Sequence, residues 1–396
     1  QVNAIMKYIE TGYASKELFV QFLVRIGLEI PTATIAVFSK LKYVNAPNFE
    51  VFRDYWNAKY LGGFVVHSKV FDGLKGDFPI GFLIWKTDQL AQNKQPIIDI
   101  TTEVFNKNVQ PIGEKKFFNL PNKSFLNVWM KKSKTNNELA LPLSNAITVS
   151  RNPRIKMSCN NMKGFLFAGN NDFQNASTGT LISSSIYTGR NGGGVYLDEK
   201  NLWQAAIVFS VRRLIKPTWL NDRDQFLQPT EILTDEFKSD CLIWMLFNGS
   251  NLTASANNLE WNGKQWSIVN HFIPFTEEEV GAPDRFESDF MVRYMSALPS
   301  IKKAGGGPFS DEAKAVLAEG KKLWQAYFAH TDVHSVREEL KLNRPDVGWY
   351  QIRKALQARN NSGDFPLVSF KNFENVYKEL TEKMQPKVYE FGFLRS

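Results

Sequence analysis

The side chains best suited to chemistry are basic residues with aromatic residues between them, at positions 106–163. This segment has eleven Lys and Arg against two acids, although the whole 396-residue chain carries a formal charge of only +8. Positive groups bind phosphates and aromatic rings stack on bases, so we predict a polyanion-binding face rather than a merely solubilising surface. The basic residues expected to contact the polyanion are Lys115, Lys116, Lys131, Lys132, Lys134, Arg151, Arg154 and Lys156, and the aromatic residues are Phe117, Phe118, Phe125 and Trp129.

Other catalytic chemistry has less support in the sequence. Asp222 and Asp224 are two carboxylates two residues apart, and such a pair could share a metal ion in a nuclease. Helix-cap and salt-bridge roles are the favoured interpretation of Asn221, Asp222 and Arg223, which follow a predicted helix, and a nuclease remains an alternative. The chain has neither the GxSxG motif of a serine nucleophile nor a Cys/His cluster.

Cysteine usage and hydropathy bear on the compartment. The two cysteines, Cys159 and Cys241, are too few for a disulfide framework, and we expect both to be free buried thiols in a reducing compartment. No apolar run reaches the ~20 residues of a membrane span, and the N-terminus lacks a signal core. We therefore expect a cytoplasmic protein. Because residue 1 is Gln, we also expect the sequence to start at a fragment or at an ordered segment rather than at the start of a gene product.

The elements that would position these residues begin with an α/β pattern. Apolar spacing predicts a helix over Ser15–Ile30, a buried strand over Thr34–Phe38 and an aromatic-striped helix over Asn48–Tyr60. Two further apolar runs, Gly63–His67 and Ile80–Trp85, read as a hairpin because Gly and Asp residues separate them. This order predicts the second half of an α/β sheet.

Lys40 and Lys42 follow the first predicted strand. In open α/β sheets, ligands bind where strands end at their carboxyl edge. We therefore predict that both lysines lie at a ligand-binding edge.

The rest of the chain divides into two further regions. Short strands between turns rich in Asn, Gly and Lys predict a β-rich region that contains the basic segment. Helical periodicity then dominates, interrupted by a hairpin over Leu259–Phe275 with a type I′ turn at Asn262–Gly263. The predicted domains are therefore residues 1–90 (α/β), 91–200 (β-rich) and 201–396 (mainly helical).

Residues 13–87 resemble a known enzyme family. The sequences YASKELFVQFLVRIGLEIPTATIAVFSKLKYVN and GGFVVHSKVFDGLKGDFPIGFLIWKT resemble the region downstream of the catalytic motif in bacterial N6-adenine DNA methyltransferases of restriction–modification systems. In that family a helix, a strand, a helix and an antiparallel hairpin complete the sheet that binds S-adenosylmethionine. A target-recognition region comes next, which residues 88–200 match by position and charge.

Two motifs of the family are missing. The chain has no [N/D/S]PP[Y/F] loop, and it has no FxGxG loop followed by an acidic residue. Both lie upstream of the matched part in the family. The resemblance thus implies that S-adenosylmethionine is bound mainly by an absent half, and that this chain holds none of the catalytic residues.

The resemblance also assigns roles in the hairpin. Methyltransferases extrude the target base and hold it against aromatic groups. Phe71 is the first candidate for this contact and Phe78 the second, although Phe71 could equally plug the hairpin. Lys69 and Lys75 flank Phe71 and are expected to contact phosphates, as are Lys40 and Lys42.

Two functions follow for the whole chain. The first is the C-terminal, target-recognising part of a DNA adenine-N6 methyltransferase that binds double-stranded DNA, with a restriction endonuclease as a separate partner or fused domain. The second is a non-catalytic nucleic-acid-binding or scaffold protein that keeps part of a methyltransferase fold. The absent motifs motivate the second.

Overall fold

The protein is described by a computed structural model that covers residues 12–56, 58–87, 99–120, 124–130, 134, 136–140, 156–157, 160–186, 194–298, 309–329, 344–362 and 370–395. These residues form a mixed α/β structure with ten α-helices and four sheets. Three helices lie at the N-terminal end and seven follow residue 200.

The first sheet has five strands in the order β1-β3-β2-β4-β5. Strand β3 runs antiparallel to both β1 and β2, whereas β2 and β4 are parallel. The strands are β1 (Thr34–Lys40), β2 (Ala58–His67), β3 (Pro79–Thr87), β4 (Asp99–Phe105) and β5 (Pro111–Phe118).

Three helices cover one face of this sheet. The face buries alternate residues, such as Ile35 on β1, Leu83 and Trp85 on β3 and Phe117 on β5. The indole of Trp85 donates to the hydroxyl of Tyr43 at 3.0 Å, which satisfies a polar group inside the apolar core. The helices are α1 (Leu18–Glu29), α2 (Lys42–Asn45) and α3 (Glu50–Tyr55), with 3₁₀ turns at Gly12–Lys16 and Pro47–Phe49.

The expected helix–strand–helix–hairpin order is present, with three corrections. The helix predicted over Asn48–Tyr60 ends at Tyr55, and β2 begins at Ala58. The helix predicted over Ser15–Ile30 begins at Leu18, because Ser15 lies inside a 3₁₀ turn. Strand β1 lies at an edge of the sheet rather than in its centre, because β3 is its one hydrogen-bonded neighbour among the described residues.

The same sheet extends past residue 90. Strands β4 and β5 join it through the parallel pairing of Phe64 with Glu103 and of Val66 with Phe105. Part of the region predicted as a separate β-rich domain therefore shares the first sheet. The strand expected near Phe125–Met130 is a 3₁₀ turn at Leu126–Val128.

The larger core lies in the C-terminal part. A four-stranded sheet in the order β10-β8-β9-β11 packs against helices α4 and α5, whose side chains are buried nearly all round. The strands are β8 (Gly164–Ala168), β9 (Thr180–Ser183), β10 (Gly194–Leu197) and β11 (Asn251–Leu252), and the helices are α4 (Leu202–Leu214) and α5 (Asp235–Leu246).

Five more helices and two pairs of antiparallel strands complete the described part of the chain. The hairpin of β12 (Ala256–Trp261) and β13 (Lys264–Ile268) has Asn262 and Gly263 at positive φ, which confirms the predicted type I′ turn. The other pair is β6 (Leu139–Ala140) with β7 (Lys156–Met157). The helices are α6 (Glu277–Val280), α7 (Phe290–Ser296), α8 (Asp311–Ala329), α9 (Trp349–Ser362) and α10 (Phe370–Glu390).

A bridging segment, residues 218–228, connects the two cores. Lys115 of β5 forms a 2.8 Å ion pair with Asp224, and the ring of Trp219 lies 4.8 Å from that of His67. On its other side, Leu227 N donates to the carbonyl of Phe393 at 2.9 Å. The segment is therefore bonded to both regions of the chain.

Candidate nucleic-acid interface

The face of the first sheet opposite its helices, here called the open face, carries a row of phenylalanines. Phe38 on β1 contacts Phe82 on β3 at 4.6 Å between ring centroids, and Phe82 contacts Phe64 on β2 at 5.3 Å. Phe105 on β4 extends the row, 5.5 Å from Phe64. Phe38 is 49% exposed, so this end of the row lies open.

The loop between β2 and β3 folds over the carboxyl end of β1. Phe71 is half-buried and meets Phe38 edge-on at 5.4 Å. The Lys40 ammonium lies 4.8 Å from the centre of the Phe78 ring, a cation–π distance. Both aromatic candidates and Lys40 therefore lie together at the carboxyl end of β1. The sequence had placed Lys40 at this edge but not the two aromatic rings.

An ion pair fixes the conformation of this loop. Lys69 contacts Asp77 at 2.6 Å and lowers the pKa of that carboxyl, while His67 Nε2 lies 3.4 Å from the same group. Ser68 Oγ donates to the carbonyl of Gly76 at 2.6 Å. The loop thus presents Phe71 and Phe78 on a backbone held by its own side chains.

The basic residues predicted for phosphate contact fall into two groups. Lys42 pairs with Glu17 at 2.8 Å, and Lys115 pairs with Asp224, so both ammonium groups have partners within the protein. Lys116 pairs with Asp99 at 3.0 Å but stays 45% exposed. Lys75 and Lys134 are exposed.

Several predicted contacts cannot be placed. Lys131, Lys132, Arg151 and Arg154 lie outside the described residues, as does Cys159, and Lys156 is described only as part of strand β7. Cys241 is free and fully buried, and burial raises the pKa of its thiol. Its surroundings offer no reactive thiolate.

The carboxyl edge of the sheet does not form an S-adenosylmethionine site by itself. A ribose needs a carboxylate for its hydroxyl groups, whereas Glu17 and Asp77 at this edge are both paired with lysines. Asp72 is exposed on the surface of the same loop, and a single exposed carboxylate does not enclose a cofactor. No step of a reaction is therefore assigned to the cofactor on this chain.

Asp222 and Asp224 have structural partners. Asp224 accepts hydrogen bonds from Lys115 and from Asn221 Nδ2, both at 2.8 Å. Asp222 lies 3.5 Å from Arg223, and burial raises the pKa of its carboxyl. Within the described residues no three His, Cys, Asp or Glu side chains group as metal ligands. These contacts support the salt-bridge interpretation.

A second concave surface, here called the amide cleft, lies between the two regions, with a volume of about 350 Å³. Three of its amides, on Asn48, Asn127 and Asn170, are exposed and make no side-chain hydrogen bond within the described structure. The remaining lining residues are Ala46, Pro47, Phe125, Asn171, Asp172, Arg223 and Gln225.

The floor of the amide cleft is a closed hydrogen-bond network. Asp172 is 8% exposed and accepts from Gln225 Nε2 at 2.6 Å and from Arg223 at 3.3 Å. Asn171 donates to the carbonyl of Phe226 at 2.5 Å and accepts from Asn127 N at 3.1 Å. These bonds hold the walls, which come from distant parts of the sequence, in one arrangement.

The cleft was not predicted from the sequence. Its walls come from residues 46–48, 125–127, 170–172 and 223–225, and none of these stretches has a motif. The one available signal was the DRDQ stretch, which we interpreted as helix-cap and salt-bridge residues. Asp222 and Arg223 do form an ion pair, whereas the capping side chains are those of Thr218 and Asn221. Arg223 takes φ 72°, a conformation rare for residues other than Gly.

Comparison with protein-family models, with curated proteins and with solved structures finds no match to this chain. Within the described residues, no helix has the length and apolar character needed to cross a membrane.

Proposed function

We propose that this chain is the C-terminal, target-recognising part of an S-adenosylmethionine-dependent DNA adenine-N6 methyltransferase. Its partner is double-stranded DNA, and a restriction endonuclease, fused or separate, would act on the same site. One observation carries the proposal. Strand β1 follows an amphipathic helix, has one edge without a hydrogen-bonded neighbour among the described residues, and lies on a sheet whose open face is aromatic.

A long and uncovered edge strand is unusual in the sheet of a folded soluble protein. Soluble proteins shorten, charge or cover their edge strands to prevent pairing with other chains. Strand β1 is seven residues long, reads TIAVFSK, and has no hydrogen-bonded neighbour beyond β3 in the described part of the chain. Thr34, Ala36 and Phe38 are exposed on its open face. Such a strand supports an interface with the rest of a larger sheet.

The other half of a methyltransferase sheet would cover both the unpaired edge of β1 and the open face. It would add a strand beside β1, and its helices would cover the open face. The hairpin loop with Phe71 and Phe78 would then border the target-base pocket, and Lys40 would lie beside it. This chain would hold the extruded base and the duplex, whereas the methyl donor would be bound by the other half.

The first experiment measures methyl transfer from labelled S-adenosylmethionine to bacterial DNA. It compares this chain with a version extended upstream in its own reading frame. We expect transfer to adenine N6 by the extended protein alone. If neither protein transfers methyl groups while both bind DNA, the methyltransferase proposal is wrong and the scaffold function replaces it.

A second experiment tests the basic segment. The triple variant Lys131→Glu, Lys132→Glu and Lys134→Glu is expected to weaken binding to every duplex alike, because lysine–phosphate contacts carry no sequence information. The slope of log affinity against log salt should fall by about three. The control reverses Lys314, Lys322 and Lys378 on the C-terminal helices, which changes the net charge equally. Equal losses in both variants would exclude a specific DNA face in this segment.

A further inference from the structure

We propose that a pocket between strand β5, the bridging segment and helix α10, here called the junction pocket, binds a small aromatic carboxylate. Its volume is about 310 Å³, at the lower end of the range for small-molecule sites. The inference goes beyond the proposed function and does not depend on it, because the pocket contains neither the hairpin loop nor the open face of β1. The side chains that the argument uses are Lys115, Phe118, Leu120, Asp224, Tyr389 and Arg395.

Apolar side chains form most of the wall of the junction pocket. Phe118 at the end of β5 is half-buried, and Tyr389 on α10 is 42% exposed, so both rings keep part of their surface open. Leu120, Leu227 and Leu394 contribute the aliphatic part of the wall. Rings and leucines around a concave space favour a flat apolar body, because the ligand loses contact with water and gains contact with aromatic rings.

The charged side chains of the junction pocket leave one positive charge unbalanced. Lys115 and Asp224 neutralise each other at 2.8 Å, whereas the exposed guanidinium of Arg395 has no hydrogen bond or ion pair within the described part of the chain. Two cations and one anion line the pocket, so one negative charge on a ligand would complete it. A carboxylate carries one charge, but a phosphate monoester carries about −1.5 to −2 at neutral pH. A guanidinium also binds a carboxylate through two parallel hydrogen bonds.

Arg395 is held at the pocket by its surroundings. Its guanidinium carbon lies 5.3 Å from the centre of the Phe118 ring, a cation–π distance. The backbone just before it is fixed on both sides, since Phe393 N donates to the carbonyl of Val388 and the Phe393 carbonyl accepts from Leu227 N, both at 2.9 Å. The ring contact uses the face of the guanidinium, and its N–H groups are left available for an anion.

Tyr389 supplies a second donor. Its hydroxyl makes no hydrogen bond with the residues that the structure describes. Burial, and then the nearby charge of Asp224, raises the pKa of Tyr389, so the phenol stays protonated at neutral pH. A protonated phenol donates to an anion. The pocket therefore offers an unpaired cation and a neutral donor to one carboxylate.

The test titrates three probes of the same shape into the full chain by calorimetry at pH 7. The probes are 2-naphthoate, the neutral 2-naphthamide and 2-naphthyl phosphate. Naphthoate should bind saturably at a single site. The amide should bind about 10- to 100-fold more weakly, because it cannot form the charge-assisted hydrogen bonds. The phosphate should bind no more tightly than naphthoate.

Variants locate the binding site. Arg395→Gln should weaken naphthoate binding by about 10- to 100-fold and leave naphthamide binding unchanged. Tyr389→Phe, which removes the hydroxyl alone, should weaken naphthoate binding by about 2- to 10-fold. The matched control is Arg285→Gln, since Arg285 is an exposed arginine that also lacks a bonded partner among the described residues. Neither Arg395 nor Tyr389 bonds to another described side chain through a hydrogen, so the fold should persist, which circular dichroism checks.

The outcomes either support the carboxylate site or overturn it. Equal naphthoate affinity in the wild type and in Arg395→Gln overturns it, and so does equal binding of naphthoate and its amide. A wild-type protein without saturable naphthoate binding contradicts it as well. Tighter binding of the phosphate by more than about tenfold would show that the ligand class is wrong. None of these results bears on DNA binding or methyl transfer, which separate experiments measure.

Discussion

The sheet region (residues 12–118) and the C-terminal region (residues 194–395) differ in how many large apolar side chains they expose to solvent. Twelve of the fifteen large apolar side chains exposed in the described structure lie in the sheet region, against two in the C-terminal region. The C-terminal helices bury their apolar surface against one another and against the second sheet. The sheet region leaves such surface uncovered on α1, β1 and the open face. The contrast supports the proposal that the sheet region presents an interaction surface, since large exposed apolar patches mark such surfaces.

The largest difference should appear when an aromatic side chain is removed from each region. Phe247 is 2% exposed and packs against Phe275, Trp324, Trp349 and Phe373. Phe247→Ala should lower the free energy of unfolding by about 3–5 kcal/mol, through lost burial and a cavity. Phe38→Ala on the open face should cost less than about 1 kcal/mol, because half of its ring is already in water. Urea denaturation measures both, and equal losses would contradict the contrast.

A smaller effect is expected at a buried charge in the C-terminal region. Lys383 contacts Asp240 at 3.2 Å, and Asp240 is 2% exposed. Lys383→Met leaves this carboxylate without its cation and should cost about 3 kcal/mol at pH 7. Burial raises the pKa of Asp240 in the folded protein above its value in the unfolded chain. The folded state therefore gains protons as the pH falls, and the defect should shrink between pH 7 and pH 4.

The control for that variant is an exposed ion pair. Lys378 lies 3.5 Å from Glu382 on the surface of α10. Lys378→Met should change stability by less than about 0.5 kcal/mol at any pH. Similar losses for both lysines would mean that Asp240 does not depend on Lys383.

The C-terminal region should also respond to acid through His271. Its Nδ1 lies 2.6 Å from Ser288 Oγ, and burial, with the charge of Lys163, lowers the pKa of His271 to about 4. The unfolded chain binds a proton at this imidazole near pH 6.5, whereas the folded protein does not until about pH 4. Above pH 6.5 the residue therefore makes its full contribution to the free energy of unfolding. It should be lost as the pH falls towards 4, by about 1–3 kcal/mol. His271→Gln should flatten this part of the curve of unfolding free energy against pH.

Replacing exposed apolar side chains of the sheet region should have the smallest effect on the free energy of unfolding. The same replacements should have a clear effect on self-association. Phe22→Ser with Phe38→Ser should change the unfolding free energy by less than about 1 kcal/mol, since both side chains are half exposed. The same variant should self-associate less in sedimentation experiments, because it removes apolar contact surface. Ile232→Ser, an isolated side chain that is 95% exposed, is the control. No difference between the two would indicate that neither the open face nor the exposed side of α1 is an interaction surface.

Local pattern was enough to predict the elements with strong periodicity. Six of the seven described helices after residue 200, the strands of the first hairpin and the Asn262–Gly263 turn follow from spacing and turn chemistry, whereas the four-residue helix Glu277–Val280 was not predicted. Strand β5 escaped prediction because its sequence, PIGEKKFF, buries one side chain, Phe117, and so lacks a clear alternation. We predicted a central position for strand β1 because TIAVF is apolar on both faces. Its position at the edge was not predictable, since local sequence does not show what lies beside a strand.

The candidate site was predictable only in its local part. Lys40, Phe71 and Phe78 meet at one edge because short connections hold strand β1 and the hairpin together. The amide cleft depends on contacts across long stretches, such as Asn45 with the carbonyl of Asp222, 177 residues later. Pairing at that separation depends on the tertiary fold, which a single sequence does not reveal. The same holds for Lys115, whose partner Asp224 lies 109 residues away.

The bridging segment has a consequence for how the molecule melts. Asp224 is bonded through its carboxylate to strand β5 and through its carbonyl to the amide of Phe173, while Leu227 is bonded to Phe393. Neither region can unfold without exposing this shared peptide and breaking bonds of the other. The two regions should therefore denature as a single cooperative unit, with equal calorimetric and van't Hoff enthalpies, despite their different surfaces.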